Sequence, residues 1–507
     1  MAGVRYKPDL DEFIALSKQG NVVPVCRTLL GDTLTPVSAY EKFARGEYSF
    51  LLESAEGGEK LARYSFLGTS PFMVFRARAS EVEIESQGAA RKFRSEDPLA
   101  ELQKQVFAFR AVGVPGLPRF CGGAVGYAAY DAIRYIERLP NPPPDALGLP
   151  DLFFAFYDLM VVFDHLQKTV LVICSARVGE EGPRRAYEQA LARIDEAVDR
   201  LRTPVMKLSD DITPRGEMTL QFRSHFAPEH GKPGQAKAEF CRAVEKCKEY
   251  ILAGDIFQVV LSQRLSALTQ AEPFNVYRAL RVINPSPYMF YLQMGGLRLV
   301  GSSPEVMVKS ESGKVTVRPI AGTRPRGATD EEDAALAAEL LADPKERAEH
   351  IMLLDLGRND VGRICRYGTV KIEEEMIIER FSHVMHMTST VTGLLDDGKT
   401  CFDAFRNCFP AGTVSGAPKI RAMEILDELE PVKRGPYAGA VGYVDFRGNL
   451  DTCIAIRTLV FTGREVFVQA GAGIVADSVP EREYEETLNK ARGLFRAIQV
   501  AESLEPA

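Results

Sequence analysis

The chain of 507 residues contains no tryptophan, and it has no apolar run of about 18 residues that could form a transmembrane helix. Its first thirteen residues are mixed and charged, without the apolar core of a signal peptide. Basic residues are too few for a general nucleic-acid binder, since the formal net charge is -7. These absences favour a cytoplasmic protein that binds neither membranes nor nucleic acids.

Several functional motifs are also missing. The nine cysteines form no CxxC pair, which argues against a disulfide framework and against a zinc site. Neither GxxxxGKS, GxxxxGKT nor a strand-linked GxGxxG occurs, so the common phosphate- and nucleotide-binding loops are excluded. No glycine-flanked nucleophile cysteine is followed by a His-x-Glu pair, and we therefore expect no glutaminase activity in this chain.

The patterns that are present indicate an α+β protein. One-sided apolar patterns predict helices over 183–202, 235–253, 330–356 and 479–499. Alternating apolar and polar residues predict strands between them, and a glycine-rich strand is predicted to enter a helix within 121–140. These segments do not follow regular βαβ spacing, which favours α+β over a doubly wound sheet.

The chain is too long for one ordinary domain core. A proline-rich, polar stretch without periodicity at 203–236 predicts a linker. We therefore expect an N-terminal domain at 1–202 and a second domain at 237–507.

Two glutamate pairs are the sharpest chemical signal. In "ADPKERAEH", Glu346 and Glu349 stand three residues apart, behind an Asp-Pro helix start. In "VPEREYEETLNK", Glu483, Glu486 and Lys490 fall on one face of a second helix. Such oxygens suit magnesium, which takes few carboxylates and completes its shell with water and substrate. Spacing alone favours a simpler interpretation, in which these glutamates cap helices on a solvated face.

Other motifs also allow two interpretations. Arg457 in "CIAIRTLV" is predicted inside an apolar strand, where its charge needs a partner such as a carboxylate. His386 shares a strand face with Val384 and Thr388, a position typical of a packed, hydrogen-bonded histidine. The string "QAGAG" either lets bare amides approach a substrate or ends a strand tightly. The arginine-rich "VRPIAGTRPRG" could bind a phosphate, bind a carboxylate, or form a turn.

Six strings together resemble the anthranilate synthase component I family: "PIAGTRPRG", "EHIMLLDLGRNDVGRI", "FPAGTVSGAPKIRAMEIL", "YAGAVGYVDF", "QAGAGIVADSVPEREYEETLNKA" and "LLES". The resemblance extends from about residue 20 to residue 495. It implies stacked antiparallel sheets flanked by helices, an α/β/β/α sandwich. It also implies a carbon–oxygen lyase that adds ammonia to chorismate, expels the ring hydroxyl and eliminates pyruvate to give anthranilate.

The resemblance also implies roles for individual residues. The implied Mg²⁺ site consists of Glu349 and Glu486, with Glu346 and Glu483 beside them. Glu346 would protonate the departing hydroxyl, and His386 would act in the elimination of pyruvate, with Thr323 as a further catalytic residue. The implied substrate contacts are Gly322, Thr323, Tyr437, Arg457, Gly471, Ala472, Gly473 and Lys490.

Two positions distinguish this family from its relatives. Relatives that add water to chorismate carry a lysine base where this chain has Gln258, which cannot deprotonate water at neutral pH. Aminodeoxychorismate synthase relatives usually read "PIKGT", whereas Ala321 leaves room for ammonia and offers no side-chain nucleophile. The alternatives are aminodeoxychorismate synthase component I, which serves folate synthesis, and a non-catalytic tryptophan-sensing subunit.

The strings "LLES" and "NPSPYM" are similar to the tryptophan site of the family. They imply feedback inhibition by L-tryptophan bound at Ser54, Pro287, Tyr288 and Met289. Ammonia would come from a separate glutamine amidotransferase subunit, component II, in an α2β2 complex.

Overall fold

Two large antiparallel β-sheets pack face to face, and helices cover both outer faces. The computed structural model describes residues 6–54, 63–204, 221–227, 234–381 and 384–503. The predicted α+β class and the α/β/β/α sandwich are confirmed.

The helices in chain order are α1 (Leu10–Leu16), α2 (Pro36–Phe43), α3 (Pro98–Phe107), α4 (Gly182–Arg202), α5 (Gln235–Leu252), α6 (Pro273–Ile283), α7 (Asp330–Ala342), α8 (Pro344–Gly362), α9 (Cys401–Cys408), α10 (Lys419–Leu429) and α11 (Pro480–Ser503). Short 3₁₀ turns cover Tyr130–Tyr135 and Gly412–Val414. None of the helices in the described part of the chain combines the length and apolar character needed to cross a bilayer.

The strands in chain order are β1 (Val22–Leu30), β2 (Tyr48–Glu53), β3 (Tyr64–Thr69), β4 (Met73–Arg78), β5 (Glu81–Ser86), β6 (Ala89–Arg94), β7 (Gly123–Ala128), β8 (Leu152–Tyr157), β9 (Leu159–Asp164), β10 (Thr169–Arg177), β11 (Arg223–Ser224), β12 (Gln258–Leu268), β13 (Tyr288–Met294), β14 (Leu297–Ser303), β15 (Val306–Glu311), β16 (Lys314–Val317), β17 (Ile320–Pro325), β18 (Lys371–Arg380), β19 (Val384–Leu394), β20 (Gly416–Ala417), β21 (Ala440–Asp445), β22 (Leu450–Ile454), β23 (Thr458–Thr462) and β24 (Glu465–Ile474). The first sheet has the order β1-β10-β9-β3-β2-β13-β14-β23-β24-β12-β11, with β20 paired to β12. The second has the order β17-β19-β16-β15-β22-β21-β7-β8-β4-β5-β6, with β18 paired to β19.

Three apolar layers hold the sandwich together. Between the sheets lie fully buried aromatic side chains, among them Phe50, Tyr127 and Phe290. Helices α1, α2, α4, α6 and α11 pack on the outer face of the first sheet, and α3, α8 and α9 pack on the second. Each fully buried large side chain contributes about 1.5–3 kcal/mol, so the outer layers fix the site-bearing helices α8 and α11 against their sheets.

Two predicted elements differ from the structure. The helical stretch at 330–356 is two helices, because Pro344 cannot continue α7 and the Asp343 carboxylate caps α8 by accepting from the amides of residues 345 and 346. Within 121–140, strand β7 is followed by a 3₁₀ turn rather than an α-helix. The start of α8 at Asp343 and Pro344 is the one that the Asp-Pro pair predicted, and it places Glu346 in the first turn of that helix.

The sheets join the two halves of the chain. β2 pairs with β13, and β7 pairs with β21, so strands from both sides of the proline-rich stretch share each sheet. Most of the predicted linker 203–236 lies outside the described residues, and the boundaries 1–202 and 237–507 stay a prediction.

Candidate active site

The string "VRPIAGTRPRG" contains β17, which lies beside β19. Thr323 is paired with His386, and the register shifts at Gly322, whose φ is +69°. A Cβ at Gly322 would lie 2.9 Å from Leu340 Cδ1 and 3.0 Å from Glu346 Oε2. Only glycine lets the strand approach the start of α8 this closely in that conformation.

The histidine is held in one tautomer. His386 Nδ1 lies 3.0 Å from the Gly322 carbonyl oxygen and 3.0 Å from Thr323 Oγ1. Because a carbonyl can only accept, Nδ1 carries the proton and Nε2 is left unprotonated. Burial lowers the pKa of His386, and the positive charges of Arg457 and Lys490 lower it further, against the raising effect of the Gly322 hydrogen bond. The imidazole is therefore neutral at neutral pH.

Arg324, in the arginine-rich loop, binds protein carboxylates. Its guanidinium contacts Glu339 Oε1 at 3.0 Å, Asp343 Oδ2 at 3.0 Å and Glu346 Oε1 at 3.3 Å. These contacts tie β17 to the end of α7 and the start of α8. Arg324 thus holds Glu346 as an ion-paired carboxylate.

Arg326 also pairs with a carboxylate of the protein. Its Nε donates to Asp333 Oδ1 at 2.6 Å, and Arg380 Nε donates to the other oxygen of the same carboxylate at 2.7 Å. The hydrogen bonds from Arg326 and Arg380 hold the pKa of Asp333 well below its usual range. The arginines of this loop therefore hold β17 against α7 and β18, and the loop does not form a phosphate-binding site.

Glu349 of α8 lies against strands β12 and β24 of the first sheet. Gln258 Nε2 donates to Glu349 Oε1 at 2.8 Å. A Cβ at Gly473 would lie 2.7 Å from Gln258 Nε2 and 4.0 Å from Glu349 Oε1. The absence of a side chain at Gly473 therefore makes room for both groups.

Helix α11 begins at Pro480, and its acidic face points to the same region. Lys490 Nζ lies 2.7 Å from Glu486 Oε1 and donates to the Gly471 carbonyl at 2.9 Å. Burial raises the pKa of Glu483, and the nearby charge of Glu486 raises it further. Like-charged carboxylates near one another favour capture of a proton or a cation.

Arg457 does not lie inside a strand, as the sequence suggested, but in the turn between β22 and β23. Its φ is +51°, a conformation that side chains rarely adopt. Its Nη1 donates to the Lys490 carbonyl at 2.8 Å, and it forms no salt bridge with any described carboxylate. The partner predicted for this charge is not supplied by the described residues, so the guanidinium is available for an anionic ligand.

The "GAG" string lies within β24 rather than at a strand end. β23 pairs with Glu465–Val468, so Gly471 and Gly473 have β12 on one side and, among the described strands, none on the other, which leaves an open edge there. A Cβ at Gly471 would lie 2.8 Å from Tyr437 Oη. Burial raises the pKa of Tyr437 to about 12, so the phenol is a neutral hydrogen-bond donor. Ala472 lies between the two glycines and is paired with β12. Its backbone amide and carbonyl point towards β12, away from the edge on which those of Gly471 and Gly473 lie.

One carboxyl group of the site escaped the sequence analysis. Glu305 is buried between β14 and β15, where it accepts a hydrogen bond from Thr413 Oγ1 at 2.9 Å and another from the Ile320 amide. It forms no salt bridge with a described residue, although the charge of Lys490 reaches it. Burial raises the pKa of Glu305 to about 8, so it is protonated at neutral pH. In the sequence, Glu305 is a lone carboxylate in "LVGSSPEVMVK". A lone charge of this kind could have indicated a functional residue, as it did for Arg457.

The donor set fits an open magnesium site and not a closed cage. In the described residues no three His, Cys, Asp or Glu side chains converge as a cage would require. Glu349 and Glu486 each have one oxygen held, by Gln258 and by Lys490 respectively, which leaves the other oxygen for a cation. Magnesium accepts such a site because water and substrate oxygens complete its shell.

The residues predicted to bind tryptophan come together at the junction of β2 and β13. Met289 lies opposite the last residue of β2, which Ser54 follows directly, and Pro287 immediately precedes β13. Tyr288 Oη donates to Asp451 Oδ1 of the second sheet at 2.9 Å. This segment therefore connects the two sheets.

Known proteins similar to this chain carry a consistent description. The family of chorismate binding enzymes matches residues 47–496. The chain is 49% identical to anthranilate synthase component 1 of Acetivibrio thermocellus over 497 residues, or 98% of this chain and 99% of the relative. It is 50% identical to the protein of that name from Pseudomonas aeruginosa over 496 residues, or 97% and 99% of the two chains.

A solved structure agrees with these relatives. The crystal structure of anthranilate synthase component I from Streptococcus pneumoniae is 38% identical, with a TM-score of 0.74 over 92% of this chain and 99% of that one. The chain belongs to the anthranilate synthase component I family of chorismate-binding enzymes.

Proposed function

We propose that this chain converts chorismate and ammonia to anthranilate, pyruvate and water, the first step from chorismate towards tryptophan. The observation that carries the proposal is a cradle for an anion, formed by Arg457, Tyr437 and the open edge of β24, beside the glutamates of α8 and α11. Chorismate carries two carboxylates, and relatives named anthranilate synthase component 1 match this chain over nearly its whole length.

The cradle orients the enolpyruvyl carboxylate of chorismate. Arg457 offers a guanidinium without a carboxylate partner among the described residues, and Tyr437 offers a neutral hydroxyl. The Gly473 amide shares the open edge with Gly471, and Lys490 faces the ring carboxylate from α11. On the opposite side, Gly322 and Thr323 approach the ring from β17.

Two carboxyl groups compete for the role of the acid that protonates the departing ring hydroxyl. Glu346, the candidate from the sequence, is ion-paired with Arg324 at 3.3 Å. Glu305 has a pKa of about 8 and holds a proton at neutral pH. General acid catalysis requires the protonated form, so Glu305 is the stronger candidate.

His386 is equipped to act as a base. Its Nδ1 proton is bound by Gly322, and its unprotonated Nε2 is free to take the ring proton as pyruvate leaves and the ring becomes aromatic. Thr323 contacts the same Nδ1 and keeps the ring of the histidine in this orientation.

Magnesium would be held by Glu349 and Glu486, with Glu346 and Glu483 nearby. When bound, it would neutralise the ring carboxylate and draw electron density from the ring. Gln258 orients Glu349 for this task by donating to one of its oxygens. Gln258 lacks the basicity to activate water, and Ala321 lacks an amine, which leaves free ammonia as the nucleophile.

We expect the regulation and the subunit assembly of this chain to be those that the family resemblance implies. L-tryptophan would bind at Ser54, Pro287, Tyr288 and Met289 and inhibit the enzyme by feedback. Ammonia would be supplied by a glutamine amidotransferase subunit, component II, in a cytoplasmic α2β2 complex. The nine free cysteines suit a reducing compartment.

One assay tests the proposal. The purified chain is incubated with chorismate, magnesium and an ammonium salt, and the product is identified by fluorescence and mass. We expect anthranilate, inhibition by tryptophan, loss of activity with a chelator and no turnover when glutamine replaces ammonium. Formation of aminodeoxychorismate would show the folate-pathway reaction instead, and absence of turnover would favour a sensing subunit.

A further inference from the structure

A buried ion pair lies immediately behind the proposed active site. Arg434 and Glu430, near the end of α10, have side chains only 2% and 3% exposed. Arg434 Nε donates to Glu430 Oε2 at 2.8 Å, and Nη2 donates to Glu430 Oε1 at 2.7 Å. Glu430 Oε1 also accepts from the Ser262 amide and hydroxyl of β12.

The guanidinium uses its remaining hydrogen bonds on backbone carbonyls of two other segments. Arg434 Nη1 donates to the Val414 carbonyl at 2.7 Å, and Nη2 donates to the Val260 carbonyl at 2.6 Å. Val414 follows Thr413, whose hydroxyl binds Glu305. Val260 lies two residues after Gln258, which binds Glu349. One side chain thus joins the segments that hold the proposed acid and a proposed magnesium ligand.

Arg434 also touches the substrate side of the site. Its Cζ lies 5.6 Å from the ring centroid of Tyr437 and 4.6 Å from that of Tyr130. A buried guanidinium between two rings restricts their orientation through cation–π attraction. Tyr437 is the proposed hydroxyl donor to the substrate carboxylate.

A buried ion pair is weak evidence for stability, because apolar side chains of similar volume often stabilise a protein equally well. Arginine is suited to this place by its planar fork of five donors, which lysine cannot reproduce. We propose that Arg434 is a positioning residue that fixes the Thr413 turn, the start of β12 and Tyr437 relative to one another. The inference rests on the proposed function and deepens it.

The test uses a variant in which no buried charge is left unpaired. In the double variant Arg434→Met, Glu430→Gln, the glutamine oxygen still accepts from Ser262. We expect a somewhat lower melting temperature, because the carbonyls of Val414 and Val260 lose their donor, and a fall of at least about thirtyfold in kcat with ammonia for the folded protein. KM for chorismate should change less than about fivefold, because Arg457 is untouched. Because a general loss of folded protein would also lower the apparent kcat without changing KM, kcat is calculated from the concentration of folded protein measured by thermal unfolding.

A second variant tests whether the forked guanidinium group is required. It still tests the proposal if the double variant does not fold. Arg434→Lys keeps the pair with Glu430 but cannot reach both carbonyls, so we expect a tenfold or larger fall in kcat. The control is Arg27→Met, Asp195→Asn, which removes a partly buried ion pair between β1 and α4. It should retain wild-type kcat.

The outcomes separate the possibilities. Wild-type kcat in a folded double variant, full activity of Arg434→Lys, or an equal loss in the control would each overturn the positioning role. If the wild-type chain itself made no product from chorismate and ammonia, the proposed function would fail, and the inference with it.

Discussion

The rim of the site and its interior are both rich in ionisable side chains, but the arginines of the rim are paired with carboxylates, whereas two ionisable groups of the interior are not paired. On the rim, formed by β17, α7 and the start of α8, Arg324 contacts three carboxylates and Arg326 binds Asp333. In the interior, Glu305 and Arg457 form no salt bridge with any described residue. Paired charges fasten elements together, whereas buried charges without partners are available for ligands and proton transfer.

The comparison also explains why the most conspicuous string of the sequence is not the most informative one. Three arginines in eleven residues suggest anion binding by composition, but the carboxylates that neutralise Arg324 and Arg326 are only visible in the fold. The single arginine at 457 is less conspicuous and chemically more significant.

The largest effect is expected for Arg457→Gln. Two charge-assisted hydrogen bonds to the substrate carboxylate, each worth about 1.5–3 kcal/mol, would be lost, so kcat/KM should fall about a thousandfold. The melting temperature should not decrease, because no described carboxylate loses its partner. Steady-state kinetics and thermal unfolding check both expectations, with Arg358→Gln on the exposed face of α8 as the control. A drop of less than tenfold would remove Arg457 from the substrate site.

Glu305→Gln should lower the activity of the enzyme but raise its stability. Loss of the general acid should lower kcat about 10²- to 10³-fold, the usual contribution of such a group. The folded state retains a proton on Glu305 that the unfolded chain releases above pH 4.5, at a cost of about 3 kcal/mol at pH 7. The variant should therefore melt at a higher temperature than the wild type. Glu346→Gln is the matched comparison: if it lost more activity than Glu305→Gln in magnesium-saturated buffer, the acid would be Glu346.

The contrast between these two glutamates shows which features the sequence could predict. The helix that carries Glu346 and Glu349 was predictable because its Asp-Pro start and the three-residue spacing are local signals. The sandwich followed from the family strings and from alternating strands. The protonation of Glu305 was not predictable, since it depends on burial in the fold, which outweighs the hydrogen bonds from Thr413 and Ile320 that lower the pKa of Glu305.

The position of Arg457 illustrates the same limit. Its neighbours are apolar, so a strand was expected, but Arg457 lies in the turn after the end of β22 and before the start of β23, and its backbone adopts a positive φ. The only local signal for Arg434 was its four-residue spacing from Glu430, because its other partners, Val260 and Val414, lie 174 and 20 residues away along the chain. Long-range pairing decides both cases.

The pH dependence of the wild-type enzyme gives a smaller but diagnostic effect. With Glu305 as the acid, kcat should fall about tenfold per pH unit once the pH exceeds about 8, because the protonated form disappears above its pKa. Stability should also decrease between pH 4.5 and about 8, since the folded state binds one proton more than the unfolded state in this window. The alkaline decline of kcat should be absent in Glu305→Gln. A decline that persists unchanged in that variant would assign the titration to another group.

The smallest effect on activity is expected on the rim. Arg326→Gln removes one of two arginines from Asp333, while Arg380 remains, so kcat and KM should stay within about threefold of the wild type. Stability should decrease at neutral pH, because Arg326 is the main cause of the lowered pKa of Asp333. A lowered pKa stabilises the folded state above the unfolded value near 3.9 and loses this effect as the pH falls through the folded value. The difference in melting temperature between variant and wild type should therefore shrink in acid. If Arg326→Gln instead abolished turnover with an unchanged melting temperature, the rim would belong to the catalytic interior, and the distinction between paired and unpaired charge would not separate structure from function here.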